Sequence, residues 1–208
     1  MLTRIVQQDW FYAFAIWAFR SFARLVYGLK VTGLEHVPRE GGQVVACNHF
    51  SFLDPPVVGV SMPREIHFMA KRELFERPAS RLLMLGLRAF PVNREGSDTK
   101  AIRASIRRLK DGLAVGIFIQ GTRNSGDVAA LNGAAFLALR SGSQLLPTSV
   151  WREGRAFRVH FSEPVDLSEP GLKPKDATIL LTRAINTALP AGMKIPEAAV
   201  SEPESAVS

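Results

Sequence analysis

Seven short apolar runs set the strongest limit on how this chain can fold. They cover residues 29–34, 43–47, 65–69, 88–92, 114–119, 145–150 and 156–161, each bounded by glycine, proline, asparagine or charged residues. Runs of this length between such breakers suit β-strands. Segments of helical character lie between them. Residues 98–110 place Ile102, Ile106 and Leu109 on one face and end at Asp111-Gly112. Residues 132–140 are rich in alanine and stop at Ser141-Gly142, and residues 176–189 stop at Pro190. Strands alternating with helices predict a single α/β domain with a mixed, mainly parallel sheet flanked by helices. A chain of 208 residues is long enough for one such core and short for two. The main domain is expected over residues 30–195, between an N-terminal helical segment over 1–29 and a disordered acidic tail over 196–208.

The N-terminal segment is heavily aromatic. Trp10-Phe-Tyr-Ala-Phe-Ala-Ile-Trp-Ala-Phe19 carries no charge, and Phe22 and Tyr27 extend the pattern. Its ten residues are about half of what a membrane-spanning helix requires. Arg20 and Arg24 follow, four apart and therefore on one helical face. These features predict an amphipathic helix lying in a membrane interface, with its aromatics sunk and its arginines among the phosphates. The competing reading is a helix that simply packs on the core, but the aromatic content exceeds what one docking stripe needs. No small-residue cleavage site stands out near the start, so no secretory signal peptide is expected.

The net charge is +7, and setting aside Glu197, Glu202 and Glu204 of the tail raises it to +10 for the rest. Anionic partners are expected: phosphorylated lipids, an anionic membrane surface or an acidic carrier protein. Nucleic acid is disfavoured, because the aromatics crowd into the apolar N-terminal segment instead of alternating with basic residues. The lone Cys47 precludes an intramolecular disulfide, and no Cys/His cluster has zinc spacing, so no metal is expected.

The chemistry concentrates at Asn48-His-Phe-Ser-Phe-Leu-Asp54, which follows a predicted strand and precedes Pro55-Pro56. In α/β folds, ligands gather outside strand ends of this kind. A gap of five residues on a straight helix would separate His49 and Asp54 by about 140°. They meet only if the residues between them turn. Taken singly, Asp54 resembles a helix N-cap and His49 an ordinary core histidine. Taken together after a buried strand, they suit a general base oriented by a carboxylate. Ser51 is expected to order the turn. Gly121-Thr122-Arg123, after another predicted strand, suits anion binding, and Arg94 is a second candidate for a phosphate. The Gly-Lys-Ser/Thr ending of a nucleotide P-loop is missing, which argues against ATP, and no G-x-S-x-G elbow points to a serine hydrolase.

Four blocks in order resemble the glycerolipid acyltransferase family. Asn48-His49-x-Ser51-x-x-Asp54 is similar to its first signature, and Gly86-Leu-Arg-Ala-Phe-Pro-Val-Asn-Arg94 to its second. Phe118-Ile-Gln-Gly-Thr-Arg123 resembles the third and Leu146-Pro147-Thr148 the fourth. The resemblance spans roughly residues 30 to 165. It implies His49 and Asp54 as the catalytic pair, and Arg123, with Gly121, Thr122, Gln120 and Arg94, as the grip on the acceptor. It further implies acyl transfer from acyl-CoA or acyl carrier protein to the free hydroxyl of 1-acyl-sn-glycerol-3-phosphate, giving phosphatidic acid. No cofactor beyond that co-substrate is implied, and the enzyme would sit on the cytoplasmic face of a membrane. Two positions depart from the family pattern: Gln120 replaces its usual glutamate, and Leu131-Asn132 stands where many relatives carry a lysine. Both bear on the acceptor. They leave open a different lysolipid acceptor, or a non-catalytic lipid-binding protein on this scaffold.

Overall fold

The computed structural model describes residues 9–92, 99–118 and 128–196. Helix α1 (Asp9–Tyr27) leads into strand β1 (Lys30–Thr32), then β2 (Gln43–Cys47), α2 (Asp54–Ser61) and β3 (Ile66–Lys71). Next come α3 (Pro78–Gly86), β4 (Phe90–Val92), α4 (Thr99–Lys110), β5 (Ala114–Phe118) and α5 (Val128–Ser141). The hairpin β6 (Gln144–Glu153) and β7 (Ala156–Phe161) and helix α6 (Pro174–Ala188) complete the set. The strands form one sheet in the order β1-β7-β6-β2-β5-β3-β4, antiparallel only between β6 and β7. The expected mixed, mainly parallel α/β sheet is therefore observed, and each apolar run contributes a strand.

Side-chain alternation along the strands builds two cores. Val45, Cys47, Ala114, Leu146 and Val150 point to one face, where Ala23 of α1, Val57 and Val58 of α2 and Met84 of α3 cover them. Val44, Ala46, Val115, Ile117 and Leu145 point to the other, under Leu109 of α4, Ala134 and Ala138 of α5 and Leu181 of α6. Every residue of β2 is buried, as expected for a central strand covered on both faces. The crossovers through α2 and α3 step outward on the first face; those through α4 and α5 step back on the second. All four therefore share one hand.

Several boundaries differ from the sequence expectation. The run at 88–92 begins as a strand only at Phe90, because Arg88 has φ 55, a left-handed conformation no strand accommodates. The run at 29–34 yields a strand only to Thr32. Gly33, at φ 76, then turns the chain against β7, where a Cβ would collide with the Phe161 carbonyl. Helix α3 was not anticipated: its apolar residues are consecutive, Leu82-Leu-Met-Leu85, and give no helical period to read. The expected helix start at residue 98, the end of the run at 119 and the tail from 197 lie outside the described residues.

Helix α1 docks through Ala23, Ile16 and Tyr27. Arg20 turns inward and donates to the carbonyls of Val60 and, at 2.9 Å, Met62. This corrects the expectation that both arginines face phosphates. Carbonyls at the C-terminal end of α2 lack helical partners, and Arg20 supplies donors to them. Arg24 is exposed. At the other end, Asp9 pairs with Arg88 at 2.7 Å, and the Arg88 guanidinium lies over the Tyr12 ring.

Candidate active site

Strands β2 and β5 are neighbours at the centre of the sheet, with Cys47 opposite Phe118 at their C-terminal ends. The chain leaves β2 toward β3 and leaves β5 toward β6, in opposite directions across the sheet. Such a switch point opens a crevice at the strand ends. His49 lies there, two residues beyond β2.

The turn after β2 is built on two polar side chains. Asn48 is fully buried. Its Nδ2 donates to the Val150 carbonyl at 2.7 Å, and its Oδ1 accepts from the Val150 amide at 2.8 Å. The side-chain amide thus takes over the ladder to β6, which the backbone leaves at Cys47 opposite Thr148. The backbone is released to turn. Asp54 Oδ2 then accepts from the amides of Phe50 (2.7 Å) and Ser51 (2.6 Å) and faces His49 Nδ1 at 3.1 Å. Ser51 Oγ accepts from the Leu53 amide, and the Asp54 amide donates to the Ser51 carbonyl. Ser51 therefore orders the turn, as expected.

This arrangement decides between the two readings of Asp54. A helix N-cap accepts from amides that follow it. Asp54 instead accepts from amides that precede it, and the cap position, Leu53, makes no side-chain bond. The carboxylate is 3% exposed, so three donors and the N-terminus of α2 must replace its lost water. An ionised carboxylate only accepts, so the proton between the pair sits on Nδ1. Nε2 is left with a lone pair and, among the described residues, no hydrogen-bond partner. The His49 side chain is 20% exposed, buried enough to be oriented and open enough to be reached.

Comparison with known proteins identifies the family. A family model described as Acyltransferase matches residues 28–151. The 1-acyl-sn-glycerol-3-phosphate acyltransferase of Bacillus subtilis (strain 168) is 32% identical over 186 residues, covering 84% of this chain and 93% of its own. The chain belongs to the glycerolipid acyltransferase family.

A further relative of the same name, from Borreliella burgdorferi, is 27% identical over 62% of this chain and 54% of its own. The crystal structure of the 1-acyl-sn-glycerophosphate (LPA) acyltransferase PlsC from Thermotoga maritima superposes with a TM-score of 0.63 at 22% identity. It covers 85% of this chain and 80% of that one, and shows the same fold.

In this acyltransferase the structure brings His49 and Asp54 together, while Gln120, Gly121, Thr122, Arg123 and Arg94 lie outside the described residues. By sequence the first four follow the end of β5, and Arg94 follows the end of β4. Sequence reasoning missed two contacts: the Asn48 amide on Val150, and the ring of Phe118, whose centroid lies 4.5 Å from that of His49. Neither leaves a local signal, since each depends on which strands are neighbours. His67 pairs with Glu65 at 3.0 Å and His160 with Thr32 at 2.9 Å, both away from the site. The bond from His67 holds the Glu65 carboxyl below its usual range.

Cys47 is 1% exposed, and burial, reinforced by the charge of Asp54, pushes its thiol well up. A thiol so protected is a poor nucleophile. It is expected to resist iodoacetamide in the native acyltransferase and to react fully once denatured, which mass spectrometry of the two samples will check.

Proposed function

We propose that this enzyme transfers a fatty acyl group from acyl-CoA or acyl carrier protein to the free hydroxyl of 1-acyl-sn-glycerol-3-phosphate, giving phosphatidic acid. The observation that carries the proposal is the 3.1 Å contact between His49 Nδ1 and a buried Asp54 carboxylate, which leaves Nε2 open at the sheet's switch point. Nε2 takes the hydroxyl proton as that oxygen attacks the thioester carbonyl. Asp54 balances the imidazolium that forms. The tetrahedral intermediate collapses by breaking the C–S bond, and the imidazolium returns the proton to the departing thiolate. Arg123, with Gly121, Thr122, Gln120 and Arg94, would hold the phosphate of the acceptor. The similarity to relatives named 1-acyl-sn-glycerol-3-phosphate acyltransferase supports this acceptor. Gln120 favours a second reading within the same class, a lysolipid acceptor with a different headgroup.

The site would work at a membrane surface, on its cytoplasmic face. No helix among the described residues is long and apolar enough to cross a bilayer. The outer face of α1 nevertheless exposes Trp10, Phe14 and Trp17 by about 60% each and Leu25 by 87%. An apolar face of that size suits interfacial insertion. Replacing Trp10, Phe14 and Trp17 together by serine is expected to weaken binding to anionic vesicles roughly tenfold or more. The unfolding midpoint should change little, because these side chains are more than half exposed. Vesicle flotation beside a thermal melt checks both.

The test of the reaction is formation of phosphatidic acid from lysophosphatidic acid with each donor. Product with either donor supports the reading. Product only with other lysolipids supports the second reading. Vesicle binding without turnover on any acceptor leaves a lipid-binding scaffold and sinks both.

A further inference from the structure

We infer that Phe118 and Phe68 are positioning residues for His49, forming an aromatic stack that sets the plane of the imidazole. The inference rests on His49 acting as the base. The Cβ–Cγ bond and the hydrogen bond from Nδ1 to Asp54 hold one edge of the ring and leave its plane free to rock about that edge. A base needs more than that, since Nε2 must point at the acceptor hydroxyl. The second constraint is Phe118, the last residue of β5, whose ring lies against the His49 ring with centroids 4.5 Å apart and planes at 39°. A held edge and a contact on the ring face define the plane, so the direction of Nε2 follows from Asp54 and Phe118 together.

Phe118 is held in turn. The Phe68 ring of β3 stacks on it with centroids 5.7 Å apart and planes at 20°. Phe68 is itself confined between two glycines. A Cβ on Gly116 of β5 would collide with one edge of its ring, and a Cβ on Gly59 of α2 would come within 3.3 Å of the opposite edge. Gly116 sits in a strand interior, where glycine is ordinarily unfavourable, and its missing side chain is the space the Phe68 ring occupies. The stack therefore connects β3, β5 and α2 to the imidazole, and gives the phenylalanine of the Phe118–Arg123 segment a role apart from holding phosphate.

The experiment compares Phe118→Leu, Phe118→Tyr, Gly116→Ala and His49→Ala with the wild type in the phosphatidic acid assay, with thermal melts on each. A misdirected base loses rate steeply while ground-state binding persists. Phe118→Leu and Gly116→Ala are expected to lower kcat about tenfold or more, with KM for lysophosphatidic acid changed by less than about twofold. Phe118→Tyr, which keeps the ring, should restore kcat. Placed on His49→Ala, Phe118→Leu should add almost nothing, because residues acting through one another are not additive. An undiminished kcat for Phe118→Leu beside an inactive His49→Ala overturns the inference while the base stands. An equal loss from Phe118→Leu with and without His49 also overturns it. Full activity of His49→Ala removes the reading on which the inference rests.

Discussion

His49→Ala is expected to lower the rate of acyl transfer by about 10²–10⁴-fold, the range for loss of a positioned general base. The fold should survive. His49 contributes one hydrogen bond to Asp54 and a partly exposed ring, and the carboxylate keeps the amides of Phe50 and Ser51. KM for the acceptor should move little, since Nε2 acts on the hydroxyl in the transition state and not on the rest of the lipid. Asp54→Asn is the companion. The amide oxygen can still accept from Phe50 and Ser51, so the turn should hold. That same oxygen also faces His49 Nδ1, so the tautomer should be kept, but a neutral amide no longer balances the imidazolium that forms. Loss within the same range is expected. Steady-state kinetics beside circular dichroism would check both. A folded, fully active His49→Ala would show that another group takes the proton.

The second large effect is on stability. Asn48→Ala removes both partners of Val150 at once, with bonds of 2.7 and 2.8 Å in a fully buried position. Stranding a buried donor or acceptor costs about 1–3 kcal/mol, so the pair should cost roughly 2–5 kcal/mol. That is a large share of the ~5–15 kcal/mol stabilising a typical domain. Asn48→Asp should also destabilise. A carboxylate can accept from the Val150 amide but meets the Val150 carbonyl oxygen with another oxygen instead of a donor. Urea unfolding curves would measure both. A midpoint unchanged in both variants would mean that β2 and β6 hold together at this end without the side-chain ladder. Since the turn that carries His49 begins at Asn48, activity should fall along with stability.

Much of this architecture was legible without coordinates. Strand identity follows from local composition, and each apolar run supplied a strand. The helical periods at residues 98–110 and 176–189 likewise became α4 and α6. Helix α3 escaped because four consecutive apolar residues carry no period. Arg88 carried no warning of its positive φ, since such a conformation is imposed by what surrounds the residue. Arg20 was assigned to the lipid side because helix geometry places it beside Arg24 and says nothing of carbonyls forty residues away.

The candidate site divides along the same line. That a turn must join His49 and Asp54 if they are to meet follows from their five-residue spacing, and that they form a pair is what the signature block they share implies. Both are read from a stretch of seven residues, Asn48 to Asp54. The tertiary structure decided that Asp54 accepts from the preceding amides and is not a cap, that Asn48 continues the ladder to β6, and that the Phe118 ring lies against the imidazole. Each of these depends on β2 standing between β5 and β6. Strand order is settled by crossovers and packing over the whole chain, and no stretch of sequence a few residues long encodes it.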